Sequence, residues 1–118
     1  MYVLKFTDGA VADLKLIPKH LKNVLKKELL EKVRTDPLAC SKELKGLLKE
    51  FRSFQWQRYR VVFRVFPELR AVAIVGVGLR SPQSTANVYR KLEMLAATGQ
   101  LAQGVLFSMR GFSEPPSK

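Results

Sequence analysis

The sequence predicts an α+β fold in which an N-terminal strand and a helical hairpin pack on a small antiparallel sheet, followed by a C-terminal helix. Three patterns lead there. Residues 19–34 place Leu21, Val24, Leu25, Leu29 and Val33 on one helical stripe and Lys19, Lys22, Lys26, Lys27 and Arg34 around the rest. Three runs rich in aromatic and β-branched residues, 50–56, 58–65 and 71–78, follow with connections so short that neighbours must be antiparallel. Finally, "LRSPQSTANVYRKLEML" reads as a turn and then a helix with Val88, Leu92 and Leu95 on one face.

The elements follow in order. "YVLKFT" sets Tyr2, Leu4 and Phe6 against Val3, Lys5 and Thr7, the period-two signature of a strand. Asp8 and Gly9 end it, and "AVADLKLI" forms a short helix that stops at Pro18, itself suited to the first turn of the next helix. Asp36, Pro37 and Gly46 mark a loop before the sheet. The run 71–78 is apolar on both faces, so it is a central strand. Ser81 is the expected cap of the last helix with Pro82 at its first position, and Gly99 its stop. "GVLFSM" is ambiguous between a further strand and a cover over an apolar patch, and "SEPPSK" reads as a frayed end. The whole of 1–118 is expected to be one domain, with a core of about 2–98 and a C-terminal extension of 99–118.

Composition narrows the function. With 21 Lys and Arg against 10 Asp and Glu, the formal net charge is +11, which points to a polyanion, an acidic protein or an anionic surface as partner. The single Cys40 excludes an internal disulfide, and it has no Cys or His cluster around it, so no metal site is expected. "MYVLKFTDGA" is too short and polar for a signal sequence, and no apolar run nears the ~20 residues of a membrane span. A cytoplasmic protein without membrane contact is the expectation.

The stretch "RYRVVFRV" carries the chemistry. Period two sets Tyr59, Val61, Phe63 and Val65 on one face, against the helices, and Arg58, Arg60, Val62 and Arg64 on the other, with Arg52 and Arg80 on or beside the flanking strands. Arginine presents a planar fork to phosphate oxygens and stacks on bases, so this face suits RNA; a solvated sheet face is the plain alternative. His20 has no second histidine to work with and reads as a surface residue. Phe54 and Trp56 are read as cross-strand packing before base stacking, and Tyr89 as core or rim packing unless its hydroxyl handles a proton.

The order of these elements, with "LKG" at 44–46, "EFR" at 50–52, "RYRVVFRV", "VGVGLR" at 75–80 and "NVYRKLE" at 87–93, resembles the RelE/ParE superfamily of type II toxin–antitoxin toxins over about residues 2–95. The resemblance implies a toxin held in check by a cognate antitoxin. In the RelE branch such toxins cleave mRNA in the ribosomal decoding site; in the ParE branch they poison DNA gyrase. Carried over by position, the RelE-branch catalytic residues are Arg60, Arg80 and Tyr89, with Arg52 the only basic residue on the strand where that branch has lysines. Lys49, Arg58, Arg64 and Arg90 are the further candidates for RNA contact.

The resemblance implies metal-free attack of a ribose 2′-hydroxyl on its own 3′ phosphate, with ribosome and mRNA as partners and no cofactor. Arg52 is a departure, because a guanidinium stays charged to a pKa above ~12 and is a poor general base. Pro82 and the tail after Gly99 depart as well. The alternatives are a gyrase inhibitor of the ParE kind and a plain basic RNA-binding module.

Overall fold

The computed structural model describes residues 1–79 and 87–110. Its elements are β1 (Val3–Phe6), α1 (Asp8–Lys15), α2 (Lys19–Glu28), β2 (Lys42–Glu43), β3 (Arg52–Trp56), β4 (Tyr59–Phe66), β5 (Ala71–Leu79), α3 (Val88–Ala97) and α4 (Gln100–Ser108). The strands form one five-stranded sheet in the order β1-β5-β4-β3-β2. β1 is parallel to β5 and the other pairs are antiparallel, so the N-terminal strand joins the sheet and makes it mixed. β2, only two residues long, is too short for periodicity to reveal.

Local chemistry explains the N-terminal half. Thr7 caps α1, its hydroxyl accepting the Ala10 N–H at 3.2 Å, with Asp8 favourably placed in the first turn. Pro18 stands at the cap of α2, one residue before the helix. The long helix expected over 19–34 is α-helical to Glu28 and then widens into a π-turn over Leu29–Val33, closed by the Arg34 N–H donating to the Leu29 carbonyl at 2.9 Å. His20 is exposed on α2.

Helices cover both faces of the sheet. On one side Ala10, Leu14, Leu25, Leu29 and Val33 pack against Val61, Phe63, Val72 and Ile74. Phe63, with no exposed surface, contributes about 2 kcal/mol by burial alone. On the other side Val88 and Leu92 of α3 and Leu101 and Val105 of α4 pack against Val62, Ala73 and Val75. That is why β5 is apolar on both faces, as a central strand should be. It also corrects the expectation of an open basic face: its centre, at Val62, is fully buried.

The tail segment is a helix rather than a strand, because Leu101, Val105 and Met109 recur every fourth residue and bury one side. Gly99 adopts φ 81° at the joint between α3 and α4, where an L side chain would be strained. A bulge shifts the β4–β5 register, with Val62 opposite Gly76 but Phe63 opposite Ile74. Gly76 then faces α3, and a Cβ there would stand 3.0 Å from Leu92 Cδ1, so its lack of a side chain lets the helix approach.

Cys40 is partly buried beyond the loop, its thiol facing the Pro37 carbonyl at 3.6 Å. Burial, followed by the nearby Asp36 carboxylate, raises its pKa above the ordinary thiol value. Alkylation by iodoacetamide at pH 8 should therefore run several-fold slower in the folded protein than in urea; equal rates would contradict this. No helix among the described residues is long and apolar enough to cross a membrane.

Candidate active site

A two-residue turn fixes the parity of the site. Gln57, at φ 55°, and Arg58 connect β3 to β4, so Trp56 pairs with Tyr59, Gln55 with Arg60, Ser53 with Val62 and Arg52 with Phe63. Directly paired residues share a face. Ser53 and Gln55 therefore lie on the face of Arg60 and Arg64, towards α3, while Arg52, Phe54 and Trp56 lie on the face of Phe63, towards α1 and α2. Trp56 and Phe54 are buried, and Trp56 stacks on Tyr59 at 5.9 Å between centroids, which is cross-strand packing.

Arg60 is half-buried on β4, opposite Gln55 on one side and Gly78 on the other. Its Nη1 donates to the Tyr59 carbonyl at 3.1 Å and lies 3.5 Å from that of Gln57. Among the described residues no carboxylate pairs with it, so its charge is available to an anion. Tyr89 reaches the same face from the first turn of α3, where Asn87 caps the helix by accepting the Tyr89 N–H at 2.9 Å. The phenolic oxygen is 2.7 Å from Ser53 Oγ. The helix thus starts at Val88 with Asn87 as cap; Ser81 and Pro82, expected in those roles, lie outside the described residues, and so does Arg80.

The remaining candidates are dispersed. Arg64 sits two residues beyond buried Val62, engaged with Glu50 at 3.5 Å and lying over the Phe66 ring at 4.9 Å. Arg58 is exposed in the turn rather than on the strand, Lys49 is exposed after the short 3₁₀ turn at Gly46–Leu48, and Arg90 is exposed on α3. Among the described residues the row of guanidinium groups expected on the strand is therefore broken: buried Val62 separates Arg60 from Arg64, and Arg60 shares its face with Ser53, which meets the Tyr89 phenol.

Arg52 is not brought to this face. Its Nε donates to Ser41 Oγ at 2.7 Å, and Nη2 donates to the carbonyls of Ser41 at 3.0 Å and Leu38 at 3.3 Å. An exposed Glu43 carboxylate lies 3.6 Å from Nη1 and adds little. Arg52 is thus a clamp on the loop before β2. Arg52→Ala should cost about 2 kcal/mol in urea unfolding, mostly from the lost carbonyl and hydroxyl bonds, and should leave the chemistry at Arg60 unchanged. Activity falling without any loss of stability would contradict this.

Ser53 is the member that sequence reasoning missed. The signal was the turn length: once Gln57 and Arg58 form the turn, Ser53 must share the face of Arg60 and Arg52 must not. No group of three or more potential metal ligands is gathered among the described residues.

A mixed five-stranded sheet with helices on both faces is a fold that this chain shares with solved toxins of type II toxin–antitoxin systems. A chain of the RelBE2 toxin–antitoxin complex from Mycobacterium tuberculosis is 26% identical, with a TM-score of 0.64 over 67% of this chain and 91% of that one. A chain of the intact E. coli RelBE complex is 26% identical, with a TM-score of 0.57 over 69% of this chain and 99% of that one. The isolated E. coli RelE toxin is 25% identical, with a TM-score of 0.57 over 78% of this chain and 95% of that one. No curated protein matches the sequence. The model of the ParE toxin family of type II toxin–antitoxin systems matches residues 4–83, and the chain belongs to that family.

Proposed function

We propose that this toxin is a ribosome-dependent endoribonuclease acting on mRNA. The observation that supports it is Arg60, without a carboxylate partner among the described residues, on the same sheet face as the Tyr89 hydroxyl. In the reaction a ribose 2′-oxygen bonds to the adjacent phosphorus as its proton leaves to water, and the bond from phosphorus to the 5′-oxygen breaks. A 2′,3′-cyclic phosphate and a 5′-hydroxyl result. Arg60 neutralises the charge on the phosphorane, Arg80 is carried over by the family resemblance as its second cation, and Tyr89 supplies the proton to the 5′-oxygen. β3 brings Ser53 and Gln55 to this face and no lysine, so in-line alignment by the ribosome must supply much of the rate. Lys49, Arg58, Arg64 and Arg90 would contribute at most exposed phosphate contacts.

The test is induction in a bacterial host with mapping of mRNA 5′ ends, with and without translation. Cuts inside translated codons that vanish when translation is blocked are expected; growth arrest without such cuts would reject the reading. Inhibition of DNA gyrase is the second reading. The match to the ParE family and the lack of a lysine on the β3 face favour it, and inhibited supercoiling by purified toxin would be its signature.

The partner is a cognate antitoxin, in keeping with the toxin–antitoxin complexes among the similar structures. An acidic, amphipathic segment matches the surplus of 21 basic over 10 acidic residues. One surface offered to it is the groove of about 430 Å³ between β1 and α2, floored by Tyr2, Leu4, Phe6 and Leu29 and edged by Lys26 and Arg34. The site of action is the cytoplasm, where ribosomes and antitoxin meet.

A further inference from the structure

Ser53 is the second residue of β3, paired with Val62 and 9% exposed. A β-branched apolar residue would serve stability better there, since a hydroxyl withdrawn from water costs free energy unless it is bonded. Its bond is made across 36 residues of chain to the Tyr89 oxygen at 2.7 Å. The Tyr89 ring meanwhile packs against the core between the sheet and α3. The phenol is therefore held at two points, ring against core and oxygen against a strand that the sheet makes rigid.

The register gives this hold a direction. Ser53 faces Val62, and Arg60 is the next residue on that face of β4, so Ser53 and Arg60 are diagonal neighbours with Cβ atoms roughly 7 Å apart. A phosphodiester bound between the two groups would offer a nonbridging oxygen to the guanidinium and its 5′-oxygen to the phenol.

We propose that Ser53 is a positioning residue, donating a hydrogen bond to the Tyr89 oxygen so that the phenolic proton is aimed at the leaving 5′-oxygen. This rests on the ribonuclease reading. As the bond between phosphorus and the 5′-oxygen breaks, the phenolic proton passes to that oxygen. The tyrosinate left behind keeps the Ser53 bond until water reprotonates it.

Single-turnover cleavage of a defined mRNA on purified, programmed ribosomes tests this with Ser53→Ala, Ser53→Thr, Tyr89→Phe and the Ser53→Ala/Tyr89→Phe double variant. Ser53→Ala should lower the maximal rate about tenfold to a hundredfold with the half-saturating ribosome concentration unchanged, and Ser53→Thr should restore most of it. In the Tyr89→Phe background Ser53→Ala should do nothing further. An equal loss in both backgrounds, a loss confined to ribosome binding, or full activity of Ser53→Ala beside an impaired Tyr89→Phe would overturn the proposal and leave the nuclease reading standing. A wild type that does not cleave, or a Tyr89→Phe that cleaves normally, would instead remove the reading beneath it.

Discussion

Replacing Asp13 by alanine should cost this toxin about 3 kcal/mol of stability, measured by urea unfolding at neutral pH. Asp13 is 6% exposed on α1, and its two oxygens do different work. β1 ends its pairing at Phe6 opposite Ile74, so among the described residues the outer edge of β5 beyond that point has no strand to bond with. α1 takes over: Asp13 Oδ2 accepts the Val77 N–H at 3.0 Å, and Oδ1 accepts Lys91 Nζ of α3 at 2.7 Å. Alanine leaves a buried backbone N–H without a partner, which carries most of the cost. The Lys91 side chain is 53% exposed and returns to water, so its part is small. Asp13→Asn keeps an acceptor for Val77 and should lose less than half as much. Native stability is typically about 5–15 kcal/mol, so alanine would remove a substantial share. A loss under about 1 kcal/mol would mean that water reaches the Val77 N–H after all.

Much of the architecture was legible because its signals are local. The stripe of Leu25, Leu29 and Val33 and the alternation from Tyr59 to Val65 are periodic patterns imposed by one buried face; the strand is where its pattern puts it, and the helix runs to Glu28 before a π-turn carries Leu29 and Val33. What escaped depends on pairing between distant segments. Parallel docking of β1 on β5 leaves no mark in either strand, and β2 is held only by two rungs on β3. Burial of Val62 under α3 and α4 turned a presumed open basic face into a narrow site, although the fourfold spacing of Leu101, Val105 and Met109 marks α4 as a covering helix. Parity decided the rest. One residue of register moves Arg52 from phosphate contact to a loop clamp and brings Ser53 into the site. Asp13 gave no warning, because a lone carboxylate on a short helix reads as solvated until the edge of β5 is placed beside it.

Arg60→Ala should abolish codon-internal mRNA cuts, lowering single-turnover cleavage on programmed ribosomes by at least about a hundredfold. The expectation rests on where the charge stands. Among the described residues its guanidinium bonds to the carbonyls of Gln57 and Tyr59 and to no carboxylate, and its place on β4 is diagonal to that of Ser53, whose hydroxyl meets the Tyr89 phenol. The same poverty of partners means that its removal should leave the fold intact, with a change in stability within about 0.5 kcal/mol. Arg60→Lys separates charge from geometry. An ammonium restores the positive charge without the two-pronged fork, so recovery of only part of the rate is expected if the phosphate is held in a fixed orientation. Removing one phosphate contact should also weaken the salt dependence of binding to free RNA by a slope of about 1 or less. Growth arrest undiminished in Arg60→Ala, with the protein folded and no cuts in either variant, would move the toxin to the gyrase reading and leave Arg60 outside its mechanism.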